Sequence, residues 1–177
     1  MSAQYLYGYD TNDEIYVISK KIKHYSFEQA LEIINNIIDK YPQHPECYMM
    51  KAGLFYVLGE YNDSVIKNYT EAISLNNTTA VPYHSRGIVL VDENLFDDAI
   101  DDFSTVIEKK ILEHRDYVLS SCYAFRVISY CALGYWDEAS KDINFLDEKF
   151  ITYNTSISGM INKDRLINCI EQKVILM

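Results

Sequence analysis

Tyr83-His84-Ser85-Arg86-Gly87-Ile88-Val89-Leu90-Val91-Asp92-Glu93-Asn94-Leu95-Phe96-Asp97-Asp98-Ala99-Ile100-Asp101-Asp102-Phe103-Ser104-Thr105-Val106-Ile107 reads as two amphipathic helices joined by a short polar turn. In the first half Tyr83, Gly87, Leu90 and Val91 recur at helical spacing and form one stripe that must be buried. In the second, Phe96, Ala99, Ile100, Phe103, Val106 and Ile107 make the apolar stripe, and Asp97, Asp98, Asp101 and Glu108 mark the wet side. Gly87 and Ala99 are the small residues that let the two backbones approach, and Asp92-Glu93-Asn94 supplies the turn and a cap. One such hairpin cannot bury both its faces, so further copies are required.

The chain has 177 residues, 49% hydrophobic and 24% charged, with six Gly and three Pro, which is the composition of a folded domain with little room for linkers. A formal net charge of −10 argues against nonspecific contact with nucleic acid, which depends on Lys and Arg neutralising phosphates. The amino terminus has no basic start followed by an apolar run, and no apolar stretch reaches the length of a membrane span. A cytoplasmic location without membrane association is the expectation. Cys47, Cys122, Cys131 and Cys169 form no Cys-x-x-Cys pair and read as reduced core thiols.

Taken in order, residues to about Asp10 are Tyr-rich and aperiodic, and are expected either to be loose or to pack as a strap on the first helix. Ile15, Val17, Ile18 and Ile22 predict a helix from about Asn12 to Lys23, and Phe27, Ala30, Leu31, Ile34, Ile37 and Ile38 predict a second, closed by Tyr41-Pro42. Tyr48 to Phe55 and Val65 to Leu75 form the next pair around a Leu58-Gly59-Glu60-Tyr61 turn. This pair carries one extra residue, which predicts a bulge or a shifted helix start around Asn62–Ser64. A fourth pair begins near Ser120, with Tyr123, Arg126, Val127 and Tyr130 in one helix and Ala139, Ile143 and Leu146 in the other. Forty residues separate Ala99 from Ala139, so residues 108–117 hold an insertion as an extended helix end or a loop. After Phe150 a polar stretch leads to a last helix with Ile161, Leu166, Ile167, Ile170 and Val174, the natural cap for the open end.

Over about residues 11–150 the chain resembles the tetratricopeptide repeat family, with repeats at about 11–44, 45–79, 80–119 and 120–150 and a cap at 151–177 in one domain of 177 residues. Tyr48, Tyr83 and Tyr123 stand where the family often has Trp, and Pro ends only the first copy, as Pro42. The resemblance implies an all-α fold: a right-handed superhelix of antiparallel helix pairs, a solenoid whose first helices line a concave groove for an extended peptide or a partner helix. Groove-facing candidates are Met49, Met50, Gly53, Tyr56 and Val57, then His84, Ser85, Ile88 and Val91, then Ala124, Phe125, Ile128 and Cys131. They are apolar, unlike the Lys and Asn with which some members grip a chaperone's carboxylate tail.

Arg86 and Asp102 stand sixteen residues apart, and so do Arg126 and Asp142, each Arg on a first helix and each Asp on the returning one. The recurrence predicts a structural ion pair within each hairpin. For catalysis the inventory is thin: His24, His44, His84 and His114 fall on different repeats, and no phosphate loop, His-Glu-x-x-His or nucleophile elbow is present. Asp97-Asp98 and Asp101-Asp102 are helix neighbours that point in different directions and read as a solvated face, so neither metal nor cofactor is expected.

The sequence therefore reads as a noncatalytic scaffold that binds another protein's peptide or helix in an apolar groove, with Met50, Tyr56, Ile88, Val91 and Ile128 carrying recognition. Two alternatives stand beside it. One is a chaperone like the small acidic repeat proteins of bacterial secretion, shielding an apolar client; the other is a self-assembly module whose groove is used up in a homodimer.

Overall fold

A computed structural model describes residues 14–57, 63–76, 78–108, 116–154, 157 and 159–176. The chain divides into two compact units, residues 1–77 and 78–177. The expected amino-terminal strap, the Leu58–Tyr61 turn and most of the 108–117 insertion lie outside the described residues. No helix among the described residues is long and apolar enough to cross a membrane.

The first unit holds α1 (Glu14–Lys21) with a 3-10 turn (Ile22–His24), α2 (Phe27–Lys40), α3 (Pro45–Val57) and α4 (Asp63–Leu75). Ser26 starts α2 with a reciprocal cap: its hydroxyl accepts from the Gln29 amide, and the Gln29 side chain accepts from the Ser26 amide at 3.1 Å. Ile15 of α1, Ile37 of α2 and Cys47 of α3 form a buried cluster on which Ile18, Ile33, Ile38, Tyr41, Tyr48 and Met50 pack. Glu14 fixes the other side of α1 by accepting from Tyr41 Oη at 2.9 Å and from Lys40. These bonds, Lys40's first, hold the Glu14 carboxyl below its ordinary range. α3 and α4 pack as a hairpin, α4 burying Val65, Tyr69 and Ala72. α4 starts two residues before Val65, whereas its counterpart in the next hairpin starts three before Ala99. The helix start is thus shifted near the extra residue.

The second unit holds α5 (Ala80–Asp92), α6 (Phe96–Glu108), α7 (Asp116–Leu133), α8 (Trp136–Asp142) with a 3-10 turn (Ile143–Phe145), β1 (Ile151–Thr152), β2 (Ile161–Asn162) and α9 (Lys163–Gln172). Both hairpins turn by one device. Asn94 (φ 60°) and Gly134 (φ 78°) take left-handed backbone, and the next amide closes back on the helix, Leu95 to the Leu90 carbonyl and Tyr135 to the Tyr130 carbonyl, each at 2.8 Å. α6 packs on α5 and on α7, and α9 packs on α7 and α8.

Three features of this unit depart from the sequence reading. Ile143 and Leu146 lie beyond the end of α8, the first in the 3-10 turn and the second at its extended end. Ile161 belongs to a strand, not to the last helix: β1 and β2 form a small antiparallel ladder, Ile151 opposite Asn162 and Thr152 opposite Ile161. Val174 lies beyond the end of α9, where Lys173 turns left-handed (φ 51°) and the Val174 amide bonds the Cys169 carbonyl. α7 begins four residues before Ser120, so part of the insertion is an added helical turn. Its Tyr117 lies 3.2 Å through Oη from Thr152 Oγ1 and 6.4 Å, ring to ring, from Phe150, which seats the ladder. All four cysteines are buried, and none is joined in a disulfide.

Gly87 carries the close approach of α5 to α6: a Cβ there would stand 2.6 Å from a ring carbon of Phe103. At Gly53, on α3, nothing lies within 4 Å of the same position. Gly87→Ala is therefore expected to lower stability in urea unfolding by about 1–3 kcal/mol through overpacking. Gly53→Ala is expected to raise it by about 0.5–1 kcal/mol through helix propensity. A neutral Gly87→Ala would show that Phe103 has room to move aside.

Candidate interaction surface

The polar interior of the second unit is built first from its two charged pairs. Arg86 donates through Nε to Asp102 Oδ2 at 2.8 Å and through Nη2 to Oδ1 at 2.6 Å. Arg126 repeats the fork on Asp142, at 2.6 and 2.8 Å. Both Asp are buried, so each pair holds α5 to α6 or α7 to α8 through two directed bonds rather than a diffuse attraction. Burial pushes the Asp102 carboxyl up and the Arg86 guanidinium pulls it down, while the bonds to Asp102 hold the Arg86 proton more tightly. With a donor on each carboxylate oxygen, the charged pair is the state the geometry serves.

Arg126 does more than close its own hairpin. Its Nη1 donates to Ser104 Oγ of α6 at 2.8 Å, and its guanidinium lies 5.7 Å from the Tyr123 ring and 5.8 Å from that of Tyr130. Phe145 stacks on Tyr123 at 4.6 Å and closes the arrangement. Ser104 was not legible as a partner, because it joins neighbouring hairpins across the insertion.

The groove candidates divide by unit. On α3, Met49, Met50 and Tyr56 are half-buried, Gly53 borders open space and Val57 is 83% exposed. α3 is apolar around most of its circumference, yet it buries only Cys47 and Ala52. On α5, Ile88 is half-buried, and His84 places Nε2 2.8 Å from Ser121 Oγ of α7. Burial pushes the His84 imidazole down to about 4, so it is neutral at pH 7.

Val91, Phe125 and Ile128 do not face an open groove. They are 5%, 1% and 2% exposed and belong to the core. Phe125 stacks on Phe103 of α6 at 6.0 Å, and α7 is packed by α5, α6, α8 and α9 together. What the sequence offered as groove on α7 is consumed by the cap and the preceding hairpin.

The comparisons with known proteins agree with this geometry at the level of the fold. The sequence matches no family model and no curated protein. Among solved structures, the MamA protein is similar with a TM-score of 0.63 and 20% identity, over 74% of this chain and 68% of that one. PilW, a widely conserved type IV pilus biogenesis factor, is similar with a TM-score of 0.62 and 14% identity, over 76% of this chain and 59% of its own. Both are tetratricopeptide-repeat proteins, and this chain has their all-α fold of packed helix pairs, with the two-stranded ladder added.

Asp102→Asn and Asp142→Asn are each expected to cost about 3 kcal/mol in urea unfolding, because each leaves a half-buried guanidinium without its carboxylate. Ser104→Ala, which removes one bond, is expected to cost about 1 kcal/mol. An Asp102→Asn variant as stable as the parent would remove the pair from the account of the fold.

His84 makes a pH prediction whose sign follows from its lowered value. Above about 6.5, its ordinary value, the unfolded chain does not protonate it and nothing is lost; as pH falls from there toward about 4, the unfolded chain gains a proton that the folded one refuses. Relative to His84→Gln, the parent should lose roughly 2 kcal/mol of stability between pH 7 and pH 5. Parallel pH profiles for the two proteins would contradict the neutral imidazole.

Proposed function

We infer that this chain is a noncatalytic scaffold that binds another protein, and that the apolar surface of α3 takes part in the contact. The contrast between two first helices supports the reading. α3 and α7 are both rich in apolar residues around their circumference. α7 buries Ala124, Phe125, Val127, Ile128 and Cys131, whereas α3 leaves Met49, Met50 and Tyr56 half-covered and Val57 in solvent. Met49, Gly53 and Tyr56 share one stripe of α3, and an adaptable Met beside Tyr suits the apolar face of a helix or an extended hydrophobic segment. Ile88 is the half-buried apolar candidate on α5, and Val91, Phe125 and Ile128 leave the candidate surface because they are core.

Gly53 gives the test, since a Cβ placed there meets no atom within 4 Å and gains helix propensity. In affinity capture from native lysate, a partner should be retained by the parent and by Gly53→Ala, and lost by Gly53→Glu, once circular dichroism shows all three folded. Ile88→Asp reports the same for α5. Equal retention by the parent and Gly53→Glu would take the contact off α3.

A further inference from the structure

In the first unit a cleft of about 400 Å3 opens between α3 and α4, lined by Tyr48, Lys51, Phe55, Lys67, Asn68 and Glu71. Its place in the repeat is that of the ion pairs in the two hairpins of the second unit. Lys51 stands three residues after Tyr48, as Arg86 stands after Tyr83 and Arg126 after Tyr123. Asn68 precedes the buried Tyr69, as Asp102 precedes the buried Phe103 and Asp142 the buried Ile143. In the second unit a guanidinium and a carboxylate fill this space with two bonds; in the first, the cation is an ammonium and the acid has become an amide.

Neither replacement turns toward the other. Lys51 Nζ donates across to Asn35 Oδ1 of α2 at 2.9 Å, and Asn68 Nδ2 donates back to the Ser64 carbonyl of its own helix at 2.7 Å. The walls carry Lys51 and Lys67 against Glu71 alone, a local excess of positive charge in a chain whose net charge is −10.

We propose that this cleft receives a carboxylate, the Asp or Glu side chain of a bound protein segment, which completes from outside the pair that the hairpins of the second unit make within themselves. An ammonium has three donors and Asn35 uses one, so Lys51 retains capacity for an incoming oxygen. Lys51 is half-buried, where a charge is screened less than in water and an ionised acceptor gains accordingly. Tyr48 and Phe55 offer aromatic wall to the methylenes of an acidic side chain, and Lys67 adds a second cation at the rim. Tyr48, Lys51 and Phe55 form a stripe of α3 apart from that of Met49, Gly53 and Tyr56, so the acidic contact lies beside the apolar one. The proposal rests on the reading that the chain binds a protein, and it names one chemical group that the bound segment must present.

The test needs no partner. The full chain, labelled with nitrogen-15, is titrated with N-acetyl-glutamate N-methylamide, with its glutamine counterpart and with inorganic phosphate. The glutamate probe should shift the Asn68 side-chain amide and the backbone amides around Lys51 saturably, and the glutamine probe should not. Lys51→Gln, which removes the cation, and Asn68→Asp, which supplies the acid from within, should each weaken the response about tenfold or more. Equal response to glutamine, an unchanged response in both variants, stronger binding of phosphate, or no response to glutamate would each overturn it. Such a result would leave the Gly53→Glu capture experiment standing, and a failed capture would leave this titration standing.

Discussion

A helix hairpin buries one stripe of each helix against the other and leaves the opposite stripes in need of cover. Every feature of the second unit answers that constraint. α6 covers α5 on one side, with Gly87 allowing the Phe103 ring within 2.6 Å of where a Cβ would stand, and on its other side lies α7. α7 packs against α5, α6, α8 and α9, the last of them held through Leu166 and Cys169 in the core. The added helical turn before Ser120 has its use here: it carries the Tyr117 that meets Thr152 and Phe150 and seats the segment leading into the cap. Stacking therefore ends in a device that closes the core instead of repeating it.

The charged pairs add direction to this packing. Two well-packed apolar side chains in place of Arg86 and Asp102 would satisfy the area requirement as well or better, since charges are costly to remove from water. A guanidinium forked onto a carboxylate fixes what apolar contact does not, the rotation and height of one helix against the other. Arg126 extends that control to the preceding hairpin through Ser104. Lys51 does the same in the first unit through Asn35, at a separation of sixteen residues against twenty-two for Arg126 and Ser104. The difference is the six residues inserted between Ala99 and Ala139, so the two bonds are one recurring contact whose spacing the insertion has stretched.

That stretch also explains what could be read from the sequence. The helices and their pairing were legible because each carries a period of apolar residues, and the Arg–Asp pairs because their spacing recurs unchanged within hairpins. Ser104 and Asn35 were hidden because their spacings differ, and the ladder because two-residue strands leave no periodicity. The candidate surface was legible only in part. Met49 and Met50 on α3 look no different in sequence from Phe125 and Ile128 on α7, yet the second pair is buried. Which stripe stays open depends on the number of neighbours a helix acquires, and that is a property of the stack and its cap.

Seen this way, α3 differs from the first helices of the second unit in two ways. Its apolar stripe is half-covered where the stripes of α7 are buried, and its cation faces an amide where the others face an acid. A single loss of this kind would be ordinary tolerance in a repeat. Two on one helix, of complementary chemistry, describe a surface that offers apolar contact and a fixed positive charge side by side. Apolar contact gives a bound segment most of its affinity but little register. A half-buried ammonium gives little net affinity but penalises any register that leaves it opposite an apolar group. On the proposed reading, the two together would require a segment with a hydrophobic run and one acidic residue at a set distance from it, which is a narrower requirement than either feature imposes alone.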